Sequence, residues 1–202
     1  MDTQAKYERL VKLSEGDFKA FLYDCDGTLA NNMQAHKDTY VRVAADKGVV
    51  MDGAIIDEFA GLPIVQVIGK INERYHATLD PEEFYALKYK LFYDEYIEHT
   101  QPIDYVVNHL KSHVGKVRIA VVSGSSRATV EKTLSILGIL HLAEVLVCSG
   151  ETERGKPYPD PFLAAAEQLG VPPHQCLVFE DGNAGVEAAK TAGMQWIRID
   201  QI

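Results

Sequence analysis

The sequence predicts an α/β protein, a doubly wound, Rossmann-like parallel sheet interrupted after its first strand by an all-helical cap domain. Three features point to it. Short apolar runs rich in β-branched residues recur along the 202-residue chain, as strands buried on both faces do. Most of these runs lead through a polar or glycine-containing turn into a helical pattern, the rhythm of a parallel sheet with crossover helices. The first two runs are about 90 residues apart with only helical patterns between them, far more than a connecting loop spans.

In chain order, Tyr7 to Gly16 reads as a short amphipathic helix with Leu10 and Leu13 on one side and Gly16 as its stop. The strands follow at Ala20 to Tyr23, Arg118 to Val122, Val145 to Cys148, Cys176 to Phe179 and Trp196 to Ile199. Helices Arg127 to Leu137, Pro161 to Leu169 and Ala184 to Ala192 follow the second, third and fourth of these. Between the first two strands the helices are Gln34 to Lys47, Ile55 to Ala60, Val65 to Tyr75 and Pro81 to His99, broken by Gly48, Gly53, Gly61, Pro63 and Pro81. The sheet domain is thus 1–31 and 101–202, with 1–16 as a helical extension, and the cap is 32–100. A cap fed from the first strand lies over the carboxyl ends of the strands, where open α/β sheets bind ligands.

Composition bounds the function. The chain is 47% hydrophobic and 24% charged, as soluble globular proteins are. Lys and Arg number 20 against 29 for Asp and Glu, a net charge of −9 that disfavours nucleic-acid or anionic-membrane partners but leaves room for a local basic pocket. Cys25, Cys148 and Cys176 lie far apart, with no CxxC spacing, which argues against a disulfide framework or a structural zinc site. Without a leader-like N-terminus or a spanning apolar run, the expectation is a cytoplasmic monomer.

Chemistry gathers at the strand ends. Asp24-Cys25-Asp26-Gly27-Thr28 puts two carboxylates directly after a strand, where a divalent cation could bridge them or a turn could simply form at Gly27. Ser123-Gly124-Ser125 offers a hydroxyl and backbone N–H groups to a phosphate oxygen, or a helix N-cap. Lys156 brings a lone ammonium, and Glu180-Asp181 a second acidic pair. Each alone has a bland reading: a cap, a solvated lysine, an acidified helix start. Together they describe Mg2+, a nucleophilic carboxylate, and two groups that hold a phosphoryl oxygen. The stretch from Gly150 to Lys156 mimics a P-loop, but Pro157 stands where its Ser or Thr would be, so that reading fails.

From about residue 19 onward the sequence resembles the haloacid dehalogenase-like hydrolase superfamily, whose four motifs are matched in order by Asp24-x-Asp26-Gly27-Thr28, Ser123, Lys156 and Glu180-Asp181. The helical insert after the first motif resembles the capped members, which include β-phosphoglucomutase and sugar-phosphate phosphatases. The resemblance implies that Asp24 attacks phosphorus to form an aspartyl-phosphate and that Asp26 serves as general acid, then general base. It implies Mg2+ held by Asp24, the Asp26 backbone carbonyl and Asp181, with Glu180 close by, while Ser123 and Lys156 orient the phosphoryl group. Retention of Asp26 points to phosphate monoesters rather than to dehalogenation or phosphonate cleavage.

The partner expected is a small phosphorylated metabolite, foremost a sugar phosphate. His36 occupies the position of a histidine in that subgroup and either orients Asp26 or packs on a helix face; Asn32 and Gly124 are further candidate substrate contacts. Ala30-Asn31-Asn32 replaces the subgroup's more usual Asp-Ser or Asp-Thr pair, without an assignable consequence. The mutase carries a cap arginine soon after a glycine; here Gly61-Leu62-Pro63-Ile64 has no cation before Lys70. A phosphatase is therefore expected over a β-phosphoglucomutase-like phosphotransferase or a non-catalytic binding module. Lys47 and Lys70 could act as Schiff-base amines only if desolvated. The aromatics of Phe84 to Tyr93 read as cap core, with a substrate-lining role as the alternative.

Overall fold

The structure, a computed structural model, describes residues 1–59, 62 and 64–202. Helix α1 (Thr3–Leu13) leads into strand β1 (Ala20–Tyr23). A two-residue strand β2 (Ala30–Asn31) opens the insert, which contains helices α2 (Met33–Asp46), α3 (Ile55–Glu58), α4 (Ile64–Tyr75) and α5 (Pro81–Leu91). A π-helical turn (Phe92–Tyr96) and a 3-10 turn (Ile97–His99) bring the chain back to β3 (Gln101–Pro102). Then follow α6 (Asp104–His113), β4 (Arg118–Val122), α7 (Arg127–Ile136), β5 (Val145–Val147), α8 (Asp160–Leu169), β6 (Cys176–Glu180), α9 (Asn183–Thr191) and β7 (Gln195–Arg198).

The five main strands are parallel in the order β5-β4-β1-β6-β7. All four residues of β1 are buried, because helices cover both faces of the sheet and leave no side for polar alternation. One face packs Phe21, Tyr23 and Val121 against α1, α6 and α7; the other packs Leu22, Val122 and Val178 against α8 and α9. The insert has its own core of Tyr40, Val43, Ile55, Ile68, Ile71 and Phe84. Successive strands move to one side of β1 and then to the other, opening a crevice at its carboxyl end. Tyr23 pairs with Val121 on one side and Phe179 on the other, so Asp24, Ser123 and Glu180 emerge together.

Several expectations are corrected. Leu13 is 48% exposed while Leu10 is fully buried, so the α1 face turns on Leu10. The helix expected to run to His99 stops at Leu91, where the chain passes into the wide and then the tight irregular turn. The predicted end of the second cap helix at Ala60, and Gly61 and Pro63 of the stretch without a cation, lie outside the described residues. Helix α6 and the antiparallel pairing of Ala30 with Pro102 and Asn31 with Gln101 are additional. That small ribbon joins the two chain crossings between insert and sheet. Lys47 pairs with Glu83 and Lys70 lies over the Phe59 ring; both are exposed, so neither is the desolvated amine a Schiff base needs. Among the described residues, no helix is long and apolar enough to cross a membrane, and the three cysteines are free and buried.

A buried polar network ties α1 to the sheet. Ser14 Oγ donates to the Val11 carbonyl at 2.9 Å, so toward His109 it accepts, from Nε2–H at 2.8 Å. His109 Nδ1 then accepts from the Tyr23 hydroxyl at 2.9 Å. The ring is satisfied only when neutral: burial, aided by His113, pushes His109 from 6.5 to about 3. The unfolded chain therefore binds a proton the folded chain refuses, and the stabilisation present above pH 6.5 is lost progressively as pH falls toward about 3. Urea titrations between those limits should show stability dropping by several kcal/mol, since each tenfold difference in proton affinity between folded and unfolded chain is worth about 1.4 kcal/mol. His109→Gln should flatten that slope, and an unchanged slope would contradict this assignment.

Candidate active site

Lys156 is the hub of the strand ends. Its ammonium, 8% exposed, donates to Asp24 Oδ1 at 2.7 Å, Glu180 Oε1 at 2.7 Å and the Val122 carbonyl at 2.9 Å, so all three protons are used. Burial works against its charge, but Asp24 and Glu180 outweigh it and hold the ammonium above an ordinary lysine. Carboxylate oxygens of Asp24, Glu180 and Asp181 lie within 4.8 Å of one another. Three acids face one lysine, and the excess negative charge is felt: burial pushes Asp24 well up, Glu180 and Asp181 adding to it against Lys156. Asp181 is raised to about 7 by burial and Glu180.

Such a set fits a divalent cation with a taste for oxygen. Glu180 has both oxygens engaged, Oε1 by Lys156 and Oε2 by the Gly182 N–H at 2.7 Å. Asp24 and Asp181 are the freer donors, Asp181 receiving, among the described side chains, the Thr28 hydroxyl at 3.2 Å on Oδ1. Two glycines make room. Gly27 has φ +86°, and a Cβ there would stand 2.2 Å from Asp181 Oδ2; a Cβ on Gly185 would stand 1.7 Å from Glu180 Oε1. Gly185→Ala should drive Glu180 off Lys156 and lower kcat at least tenfold, and an unchanged kcat would contradict the hub geometry.

Asp26 sits in a different setting. Its carboxylate turns away from the acidic cluster and accepts from Asn32 Nδ2 on Oδ1 and Ser125 Oγ on Oδ2, both at 2.6 Å. Burial would raise this carboxyl, but His36 first, then Ser125 and Asn32, hold it well below the usual range. His36 Nε2 stands 3.4 Å from Asp26 Oδ1. Burial and Lys88 push His36 itself below its ordinary value, with Asp26 working the other way. Lys88 Nζ lies 3.2 Å from His36 Nδ1 and can only donate, so the imidazole proton is on Nε2, facing Asp26. The ring stacks on Phe92 at 4.2 Å.

The sequence places Asp24, Asp26, Lys156, Glu180 and Asp181 in one crevice; the structure brings Asp24, Lys156, Glu180 and Asp181 together, and Asp26 turns its carboxylate to Asn32 and Ser125. Ser123 is buried at its edge, with its Oγ accepting from the Ser125 N–H at 3.0 Å. It is not the N-cap of α7; that is Ser126, three residues on. The Ser125 N–H is therefore taken up, while Gly124 is exposed on the same loop. Asn32, a candidate substrate contact, is buried against Asp26 and makes no side-chain cap to α2. Ser125 and Lys88 escape the sequence reading. A hydroxyl two residues after Ser123 hints at the first, but nothing local distinguishes Lys88 from a solvated lysine. The Tyr-rich helix is also corrected: Phe84 and Phe92 are core, whereas Tyr85 and Tyr93 are exposed.

A family model described as haloacid dehalogenase-like hydrolase matches residues 18–193. Fructose-1-phosphate phosphatase YqaB of Escherichia coli is 30% identical over 182 residues, covering 90% of this chain and 96% of its own. Validoxylamine A 7'-phosphate phosphatase of Streptomyces hygroscopicus subsp. limoneus is 30% identical over 178 residues, covering 88% and 83%. CbbY from Rhodobacter sphaeroides, solved with phosphate, shares the fold with a TM-score of 0.77 at 22% identity, over 90% of this chain and 85% of that one.

Proposed function

The chain belongs to the haloacid dehalogenase-like hydrolases, and on that premise we propose that it is a Mg2+-dependent phosphatase of a small phosphorylated metabolite, a sugar phosphate foremost. The observation that carries this reading is the contrast between its two leading carboxylates. Asp24 is buried against Lys156 in the acidic cluster, while Asp26, two residues on, is held apart by hydroxyl and amide donors. That contrast supports the first as nucleophile and the second as proton carrier, roles set by environment. The phosphatase names of relatives at 30% identity support the same reaction class.

In this mechanism an Asp24 carboxylate oxygen attacks phosphorus, the bond from phosphorus to the alcohol oxygen breaks, and Asp26 gives that oxygen a proton. Water then attacks the phosphorus of the aspartyl-phosphate, Asp26 takes its proton, the bond from phosphorus to the Asp24 oxygen breaks, and inorganic phosphate is released with Asp24 regenerated. Held ionised by His36, Ser125 and Asn32, Asp26 is set for the second step. For its donor role in the first step Asp26 carries the proton that it takes from water in the preceding turnover, and one of those accepted bonds yields to make room for it. Lys156 and Ser123 neutralise and orient phosphoryl oxygens. Mg2+ would be held by Asp24, Asp181 and the Asp26 backbone carbonyl, with Glu180 steadying Lys156. When bound it supplies positive charge to the transferring phosphoryl group.

A panel of sugar monophosphates tests the proposal. Phosphate release with Mg2+ that EDTA abolishes is the expected result. Isomer exchange that depends on a trace of glucose 1,6-bisphosphate and outpaces phosphate release would favour a phosphotransferase. No turnover of any phosphoester would leave a binding module.

A further inference from the structure

We propose that Glu151 is a positioning residue: clasped by Arg127, it sets the course of the chain from β5 to Lys156 and locks that loop to the one that carries Ser125. This rests on the phosphatase reading and deepens it. Strand β5 lies at the edge of the sheet, and an edge strand has no neighbour for its outward backbone groups. Here side chains take them up. The Leu146 carbonyl accepts from Arg127 Nη2 at 3.0 Å, and the Cys148 N–H donates to Glu151 Oε2 at 2.9 Å. The Glu151 N–H returns to the Cys148 carbonyl at 3.2 Å, closing a tight turn. Arg127 then grips both oxygens of the same carboxylate, Nε to Oε1 at 2.6 Å and Nη2 to Oε2 at 2.9 Å. Arg127 holds the Glu151 carboxyl below its usual range, and the Cys148 N–H adds to this against burial.

Both partners lead to the site. Arg127 opens α7 just after Ser125 and Ser126, and the Ser125 hydroxyl holds Asp26 at 2.6 Å. Glu151 begins the short loop that ends at Lys156, which donates to Asp24 at 2.7 Å. The Ser125 carbonyl accepts from the Ser149 N–H at 2.9 Å, and the Ser123 N–H donates to the Val147 carbonyl at 2.9 Å. The loops that present Ser123, Ser125 and Lys156 are thus laced by backbone at two points and by the Arg127–Glu151 fork at a third. An ion pair with side chains 45% and 31% exposed does little for stability. A bidentate fork, however, fixes direction as well as distance, and a misplacement of about 1 Å in groups that orient reactants costs up to about 10^2 in rate. The pair therefore acts on rate more than on stability.

The test measures kcat, KM and melting temperature in the full-length wild type, Glu151→Ala, Glu151→Gln, Arg127→Ala and the double alanine variant, with the sugar monophosphate that wild type hydrolyses fastest. Glu151→Ala should lower kcat about tenfold with KM within about twofold of wild type, the split expected when groups acting in the transition state are displaced. Glu151→Gln still accepts from the Cys148 N–H and should lose only about threefold; it also carries the test should Glu151→Ala not fold. Arg127→Ala should lose a factor similar to Glu151→Ala, and the double variant no more than either, because the two act as one unit. Melting temperatures should stay within about two degrees of wild type. An unchanged kcat in Glu151→Ala, losses that multiply in the double variant, or a lower melting temperature with kcat intact would overturn the inference while leaving the phosphatase reading standing. Absence of phosphate release from every ester by wild type would overturn both.

Discussion

Asp24→Asn is expected to lower kcat about 10^4-fold or more, the scale on which enzymes lose rate when a covalent nucleophile is removed, while raising the melting temperature by a few degrees. The two effects have one cause. Asp24 is crowded by Glu180 and Asp181 and desolvated, which pushes its carboxyl well above the usual range, so holding it ionised at neutral pH works against folding. Asparagine keeps the shape and can still accept from Lys156, but it removes a charge from an overfilled acidic pocket. Thermal melts without divalent metal, beside steady-state rates with it, would check both. A variant that lost activity and stability together would mean that Asp24 serves the fold rather than the chemistry.

Lys156→Met should be the opposite case, losing both. Three acceptors converge on this ammonium inside the protein, and without it Asp24 and Glu180 would lose their only cationic partner among the described residues. Removing one member of a buried ion pair costs about 3–5 kcal/mol because the other charge stays behind, and losing one donor to the reacting group costs about 10^2–10^3 in rate. Lys156→Arg restores the charge, but its planar fork cannot reproduce three bonds from one nitrogen. Stability should return in part and activity should not. Urea unfolding and kcat measured on the two variants separate these contributions. A Lys156→Met protein as stable as wild type would show that Asp24 and Glu180 are relieved in some other way.

The parts of this molecule legible in its sequence are those in which one short segment carries the whole signal. Phe21-Leu22-Tyr23 reads as a strand buried on both faces, and Asp24 through Thr28 reads as chemistry at its end. The corresponding ends at Ser123, Lys156 and Glu180-Asp181 can be aligned because parallel strands deliver their carboxyl ends to one edge of the sheet. What is illegible depends on which way a helix faces and on partners far along the chain. Lys88 meets His36 across 52 positions, with no local pattern to mark it, and Ser125 meets Asp26 across 99, so its place two residues after Ser123 hints at a role without naming its partner. Asn32 stands out in the sequence as a departure, but its role depends on an amide hydrogen aimed at Asp26. Helix α6 escapes a reading built on strands and their following helices, although Val106, Val107 and Leu110 have helical spacing. Leu13 reads as part of the Leu10 face, yet the buried face runs from Leu10 to Ser14, four residues on, and leaves Leu13 outside.

Everything proposed for this site turns on covalent phosphorylation of Asp24. Rapid acid quench during turnover of a sugar phosphate, followed by peptide mass spectrometry, tests it most directly. Phosphate on the peptide containing Asp24, labile to hydroxylamine, is expected in wild type and none in Asp24→Asn. Steady phosphate release with Asp24 never modified, or the same modified peptide in Asp24→Asn, would contradict it.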